Sequence, residues 1–347
     1  MKHHVQSARR CVRTLIAGTA ALGASPAIAD HMGPSGFGSG GGLSVLSPDT
    51  LDEGHAAVGF RLTYTRPEQR SDAQLEAVSE QGIDAHNTEY NVNAAVGAAY
   101  GITHDLTVSA ELPYVRRDKL RAAEDGEVER LGSISGIGDL SVLAKYRFVH
   151  SARGGFALIG GIKAPTGSTH RNGPDGERFE TEHQPGTGSW DPIIGASFGT
   201  KIGPFGLSAS ALYQFSTRGA QRTKLGDRLQ GGIALTHRFG APEPHHHDAS
   251  QNHHHGDELD EHPEEVRRPT WDAFVELTGE WEGRQEIDGE VEEESGGKAI
   301  WLSPGARFNA ANGLSIGASI GLPVWQRIRA SHPDNDYRFS LSVGLAL

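Results

Sequence analysis

Seven histidines crowd one stretch of this chain: His245, His246, His247, His253, His254, His255 and His262 fall within eighteen residues. Asp248, Asp257, Glu258, Asp260, Glu261, Glu264 and Glu265 lie among them. Neutral imidazole together with carboxylate suits zinc, copper or nickel, and the surrounding negative charge favours a divalent cation. The segment that carries them, 241–269, has Pro at 242, 244, 263 and 269 and no apolar period, which predicts a chain without fixed structure. Such a segment collects metal loosely through its imidazoles and through Asp248 and Asp257, or it is a solvated polar linker. Composition leaves both readings open, and no cofactor is required by anything in the sequence.

A second set of charged residues is spread along the chain: Arg61, Glu111, Asp139, Lys145, Arg147, Lys163, Glu276, Glu280, Arg307 and Arg338. Each falls on the polar side of a stretch that alternates apolar and polar residues. Charges facing a pore select solutes by sign and size, whereas charges that pair across a narrow interior simply fill it. Both arrangements fit the pattern. A catalytic constellation is harder to find. Gly186-Thr187-Gly188-Ser189-Trp190 is a glycine-flanked serine with His183 and Asp191 nearby, but it lacks the strand–turn–helix setting of a nucleophile elbow. No enzyme activity is expected.

The elements that must position these residues are strands. Between Tyr337 and Leu347, the odd positions are Tyr, Phe, Leu, Val, Leu and Leu, and the even ones are Arg, Ser, Ser, Gly and Ala. Leu140, Val142, Ala144, Tyr146 and Phe148 alternate with Asp139, Ser141, Leu143, Lys145 and Arg147 in the same way. A two-sheet sandwich also alternates, but its inward face needs large side chains to fill a core. Here the apolar face carries aromatics near strand ends, while the other face is Gly, Ser and isolated charge. That is the sequence sign of a transmembrane antiparallel β-barrel.

Twelve strands are expected, at 55–66, 87–101, 106–117, 138–149, 155–165, 189–202, 206–217, 227–240, 270–283, 298–308, 313–325 and 336–347. Their connections alternate between short turns and long polar loops, and an even strand number puts both termini in the periplasm with the long loops outside. By the same alternation, the histidine-rich insert replaces a short periplasmic turn.

The N-terminus has the layout of a secretory signal peptide. Lys2, Arg9, Arg10 and Arg13 form a basic start, 14–24 is apolar, and Ala27-Ile28-Ala29 is a small-x-small cleavage site. The apolar stretch is shorter than the roughly 20 residues a spanning helix needs. The expected organisation is thus a signal peptide at 1–29, a flexible glycine-rich segment at 30–54 that enters the lumen or trails in the periplasm, and a barrel at 55–347. Cys11, the only cysteine, falls in the basic start, so the mature chain would hold no disulfide. The whole chain has 32 basic and 44 acidic residues; cleavage would leave 28 against 44, a net charge of −16. So acidic a chain disfavours nucleic acid as a partner. The expected partners are outer-membrane lipid and small solutes or metal ions.

Several stretches resemble the outer-membrane proteins of the phenol-degradation meta-pathway family. Ser135-Gly136-Ile137-Gly138-Asp139-Leu140 is followed by Lys145-Tyr146, then by Lys163-Ala164-Pro165-Thr166-Gly167 and by Pro185-Gly186-Thr187-Gly188-Ser189-Trp190-Asp191-Pro192. The resemblance covers roughly 55–240 and implies a barrel with a passive or substrate-selective channel role. The histidine-rich insert departs from the family pattern, and so does the final Leu347, where such barrels commonly end in Phe or Trp. Three expectations follow. The chain is a small-solute channel in the Gram-negative outer membrane, linked to divalent metal by its periplasmic loop. Alternatively, it takes up small aromatic or hydrophobic compounds, or it is a non-conducting barrel that sequesters metal.

Overall fold

The computed structural model describes residues 42–151, 153–240 and 268–347. Residues 1–29 and the insert at 241–267 lie outside the described residues, as do the expectations that rest on them. Twelve antiparallel strands close a barrel. They are β1 (Ala56–Pro67), β2 (Tyr90–Thr103), β3 (Leu106–Glu124), β4 (Leu140–Ser151), β5 (Gly154–Ala164), β6 (Asp191–Ile202), β7 (Phe205–Gln214), β8 (Arg228–Phe239), β9 (Thr270–Glu282), β10 (Gly297–Asn309), β11 (Leu314–Ile328) and β12 (Asn335–Ala346). Strand β1 completes the ring by pairing with both β2 and β12: Phe60 stands opposite Val96 on one side and Val343 on the other. Closure leaves no unpaired edge, which a chain in hydrocarbon cannot tolerate. Among the described residues, no helix is long and apolar enough to cross a membrane, so the crossing is made by strands.

The strand period of two sorts the side chains. Outward positions are apolar and exposed, among them Val58, Val96, Leu158, Ile194, Ile233, Leu277 and Leu322. Aromatics ring both ends of this band. Tyr100, Tyr146, Phe148, Phe205, Phe239 and Trp271 lie toward the end that carries the short turns, and Tyr64, Tyr114, Trp190, Trp325 and Tyr337 toward the end with the long loops. An apolar belt between two aromatic girdles is the exterior of an outer-membrane barrel. Inward positions are small or polar: Thr63, Asn93, Thr107, Ser141, Ser197, Thr278, Ser303, Ser319 and Ser340 are all buried.

The long-loop end is more structured than its polar sequence suggests. The expected loop at 118–137 is instead a hairpin: β3 runs on to Glu124, and a further strand, Glu127–Ile137, pairs back on it. The register shifts near Leu120, which breaks the alternation that would have revealed it. The loop after β1 holds helix α1 (Asp72–Ser79), started by Ser71 and Gln74 in a reciprocal capping box. Leu75 of this helix packs on Ala85 and Ala123, fixing it against a short strand, Ala85–Asn87, and the extended β3.

Candidate functional site

Residues 42–51 do not trail away from the barrel; they line its inside. Glu276 Oε1 on β9 accepts the backbone N–H groups of Ser44 (2.8 Å) and Val45 (3.0 Å), and Arg307 on β10 donates to the Gly42 carbonyl at 2.6 Å. The Leu46 N–H donates to Ser210 Oγ on β7, Lys145 on β4 donates to the Ser47 carbonyl, and the Leu51 N–H donates to Thr107 Oγ1 on β3. The strap thus climbs the inner wall from the turn side of β3 to mid-height on β9. Leu46 anchors it in an apolar cluster with Leu143, Ile159, Ile193 and Leu212, one residue from each of β4 to β7. Small residues make room for it: a Cβ on Gly199 would come within 2.9 Å of Pro48.

The ten charged residues singled out in the sequence all face inward, and each is engaged. Arg61 of β1 donates to Glu111 of β3 at 2.8 Å, with both side chains buried. Arg338 pairs with Glu280 and lies 4.4 Å from the Trp301 ring centre. Arg147 binds Asp105 and the His104 carbonyl at the turn end. Lys145, Glu276 and Arg307 hold the strap. Lys163 sits between Asp191 (2.7 Å) and Asp139 (3.3 Å) near the loop end. Two further inward pairs were not singled out in the sequence: Arg228 with Glu282 (2.8 Å) and Arg238 with Asp272 (2.6 Å).

The glycine-flanked serine is a loop anchor. Thr187 donates its N–H and hydroxyl to Asp139 Oδ2, at 2.8 and 2.6 Å, and accepts from Lys163. Ser189 Oγ lies 2.8 Å from Thr187 Oγ1 and is buried with it. The Ser189 hydroxyl is therefore spent on folding the 165–190 loop into the barrel end. Deeper in the same loop, fully buried Arg117 of β3 donates to the His183 and Gln184 carbonyls, while the Gln184 amide ties Arg171 to Phe179.

This loop brings its own acidic and histidine residues together with a histidine from a distant part of the chain. His86, Glu180, Glu182 and His183 offer ligand-type atoms that all lie within 4.8 Å of one another. Glu182 Oε1 is 3.5 Å from His86 Nδ1 and 3.5 Å from His183 Nε2; Glu180 Oε2 is 3.8 Å from His86 Nε2. His332, from the loop before β12, adds Nε2 at 4.0 Å from Glu182. Three separate loops converge here: the His86 N–H donates to the Ser331 carbonyl, and Arg70 donates to those of Ala330 and His332. Partial burial and the Glu182 charge push the Glu180 carboxyl up to about 7. Burial, with His86, Arg117 and His332 nearby, holds His183 well below the ordinary histidine value. The compact Glu180-Thr181-Glu182-His183 run was the one sign legible in the sequence.

A closed barrel with a lipid-facing apolar belt, a polar lumen and an internal strap defines a porin-like protein of the outer membrane. The chain belongs to the family described as "Putative MetA-pathway of phenol degradation", whose model matches residues 52–246. Among solved structures, it is similar to an outer membrane channel from Pseudomonas putida F1, at 16% identity and TM-score 0.53, covering 86% of this chain and 97% of that one. The β-domain of the Bordetella autotransporter BrkA aligns at 10% identity and TM-score 0.44 over 85% and 100% of the two chains. A KdgM porin aligns at 7% identity and 0.34 over 83% and 98%. No curated protein matches the sequence.

Proposed function

We propose that this barrel is a passive channel for small solutes whose lumen is narrowed by the 42–51 strap. The observation that supports it best is the strap itself. It occupies one side of the wall from β3 to β9 and leaves a lining of serine, threonine and paired charges opposite. With each singled-out charge bonded to a wall residue or to the strap, no stripe of one sign runs along the lumen among the described residues, so the lining favours passage by size over strong selection by charge. Export by a cleavable signal at 1–29 belongs to the same reading. So does divalent metal bound by the insert, which joins β8 to β9 at the barrel end where β1 begins and β12 ends.

Swelling of liposomes carrying the purified barrel tests the channel reading: uptake that falls with solute size is expected, and exclusion of every small solute would contradict it. Zinc, copper and nickel titration of the full chain against a 241–269 deletion tests the insert. Loss of ions per chain on deletion is expected, and equal binding would remove the insert's role.

A second reading, uptake of small aromatic compounds, draws on one specific feature and on the family's description. The cluster of Leu143, Ile159, Ile193 and Leu212 makes the inner wall apolar beneath Leu46, where the strap covers it. Faster uptake of phenol than of equally small sugars would favour it, and equal rates would count against it.

A further inference from the structure

We infer that the external mouth holds a divalent d-block metal ion, zinc or a relative, bound by His86, Glu180, Glu182 and His183, with His332 at its edge. Zinc takes imidazole nitrogen and carboxylate oxygen at about 2.0–2.2 Å in a tetrahedron, which sets neighbouring donors roughly 3.3–3.6 Å apart. With His86 Nδ1 and His183 Nε2 as the nitrogen donors, the two Glu182 contacts, both 3.5 Å, already meet that spacing. Glu180 lies 4.0 Å from His183 Nε2, and one donor atom from each of the four residues falls within 4.8 Å of the others, so the set closes slightly around an ion. Two imidazoles with two carboxylates suit zinc, copper or nickel, and the carboxylates neutralise the ion.

An independent observation points to a ligand. His183 is only 2% exposed, yet neither of its ring nitrogens has a hydrogen-bond partner, and the same holds for His86 Nδ1. Buried imidazole nitrogens are ordinarily satisfied, and here the group they face is a carboxylate beyond hydrogen-bond length. A metal ion among the four side chains supplies a partner to one nitrogen of each ring, His86 Nδ1 and His183 Nε2. The positions are also preorganised: Arg117 grips the backbone at His183, and His86 rides on a short strand paired with β3. The ion joins the 67–89 loop to the 165–190 loop over the entrance, at the end of the barrel opposite to the one where β8 stops and β9 starts.

The site is separable from the insert in a full-length chain whose seven insert histidines are replaced by alanine. That chain, folded in detergent, is expected to bind one zinc per barrel and to give cobalt(II) a visible spectrum typical of four-coordinate nitrogen and oxygen ligation. His183→Ala and His86→Ala are expected to weaken zinc by about 100-fold or more, since loss of residues that merely orient a ligand already costs about 10–100-fold. Heat-modifiable gel migration reports whether each variant remains a closed barrel. The milder Glu182→Gln serves if the histidine variants do not fold, and the cobalt spectrum needs no variant of the site. No stoichiometric zinc or no cobalt spectrum in the parent chain, or undiminished binding in a folded variant, overturns the proposal. If the insert proves not to bind metal, this result is unaffected.

Discussion

Arg61 and Glu111 show what the lumen asks of single residues. They reach across β2 from β1 and β3 and meet at 2.8 Å with almost no exposure. Removing one partner strands a buried charge, which costs about 3–5 kcal/mol. Arg61→Ala is therefore expected to lower barrel stability by that amount in urea unfolding, and Arg61→Ala with Glu111→Ala to recover part of the loss. A neutral single variant would show that water hydrates the pair. The inward residues were legible because a period of two sends alternate side chains to opposite faces, so each charge in an alternating strand declares its side. Their pairing was not legible, because Arg61 finds Glu111 only once the closed register is known. The mouth cluster was harder still: His86, His183 and His332 come from three loops, and nothing local relates them.

At the scale of elements, the strands followed the alternation closely. The expected 298–308 is Gly297–Asn309, and the expected 106–117 begins at Leu106 as found, although it continues seven residues further, to Glu124. The continuation hid because Arg116, Arg117, Asp118 and Lys119 carry no apolar face; that part of the hairpin rises above the lipid and has no need of one. Helix α1 did leave a sign, the capping pair Ser71 and Gln74, inside what looked like a uniformly polar loop. The lipid face makes a sharp prediction. Leu277, outward near the middle of β9 and 46% exposed, is expected to lose about 2–4 kcal/mol as Leu277→Arg, while its inward neighbour as Thr278→Ser changes little. Comparable folding stability for the two variants in lipid would mean that the β9 face is assigned wrongly.

For the whole molecule, orientation follows from an even number of strands and from the contrast between turns and loops. With the single native cysteine replaced, as Cys11→Ser, introduced cysteines report cleanly. Asp125→Cys, at the tip of the β3 hairpin, is expected to react with an impermeant maleimide on intact cells. Asn312→Cys, in the turn between β10 and β11, is expected to react only after the outer membrane is opened. The reverse pattern would invert the barrel and move the insert outside. Topology was legible from strand counting alone. Entry of the segment before β1 into the lumen was one of two readings, and its path was not legible, because Gly42 to Leu51 has no period and finds its place only through partners on β3 to β10.

The central claim is that this barrel conducts and that residues 42–50 restrict it. Planar-bilayer recording of the full chain beside one in which 42–50 is replaced by a glycine–serine linker tests both parts at once, with heat-modifiable migration showing that each barrel is closed. Stable current through the full chain and larger unitary steps through the variant are expected. Silence in both, or unchanged step size after the strap is replaced, would contradict the account.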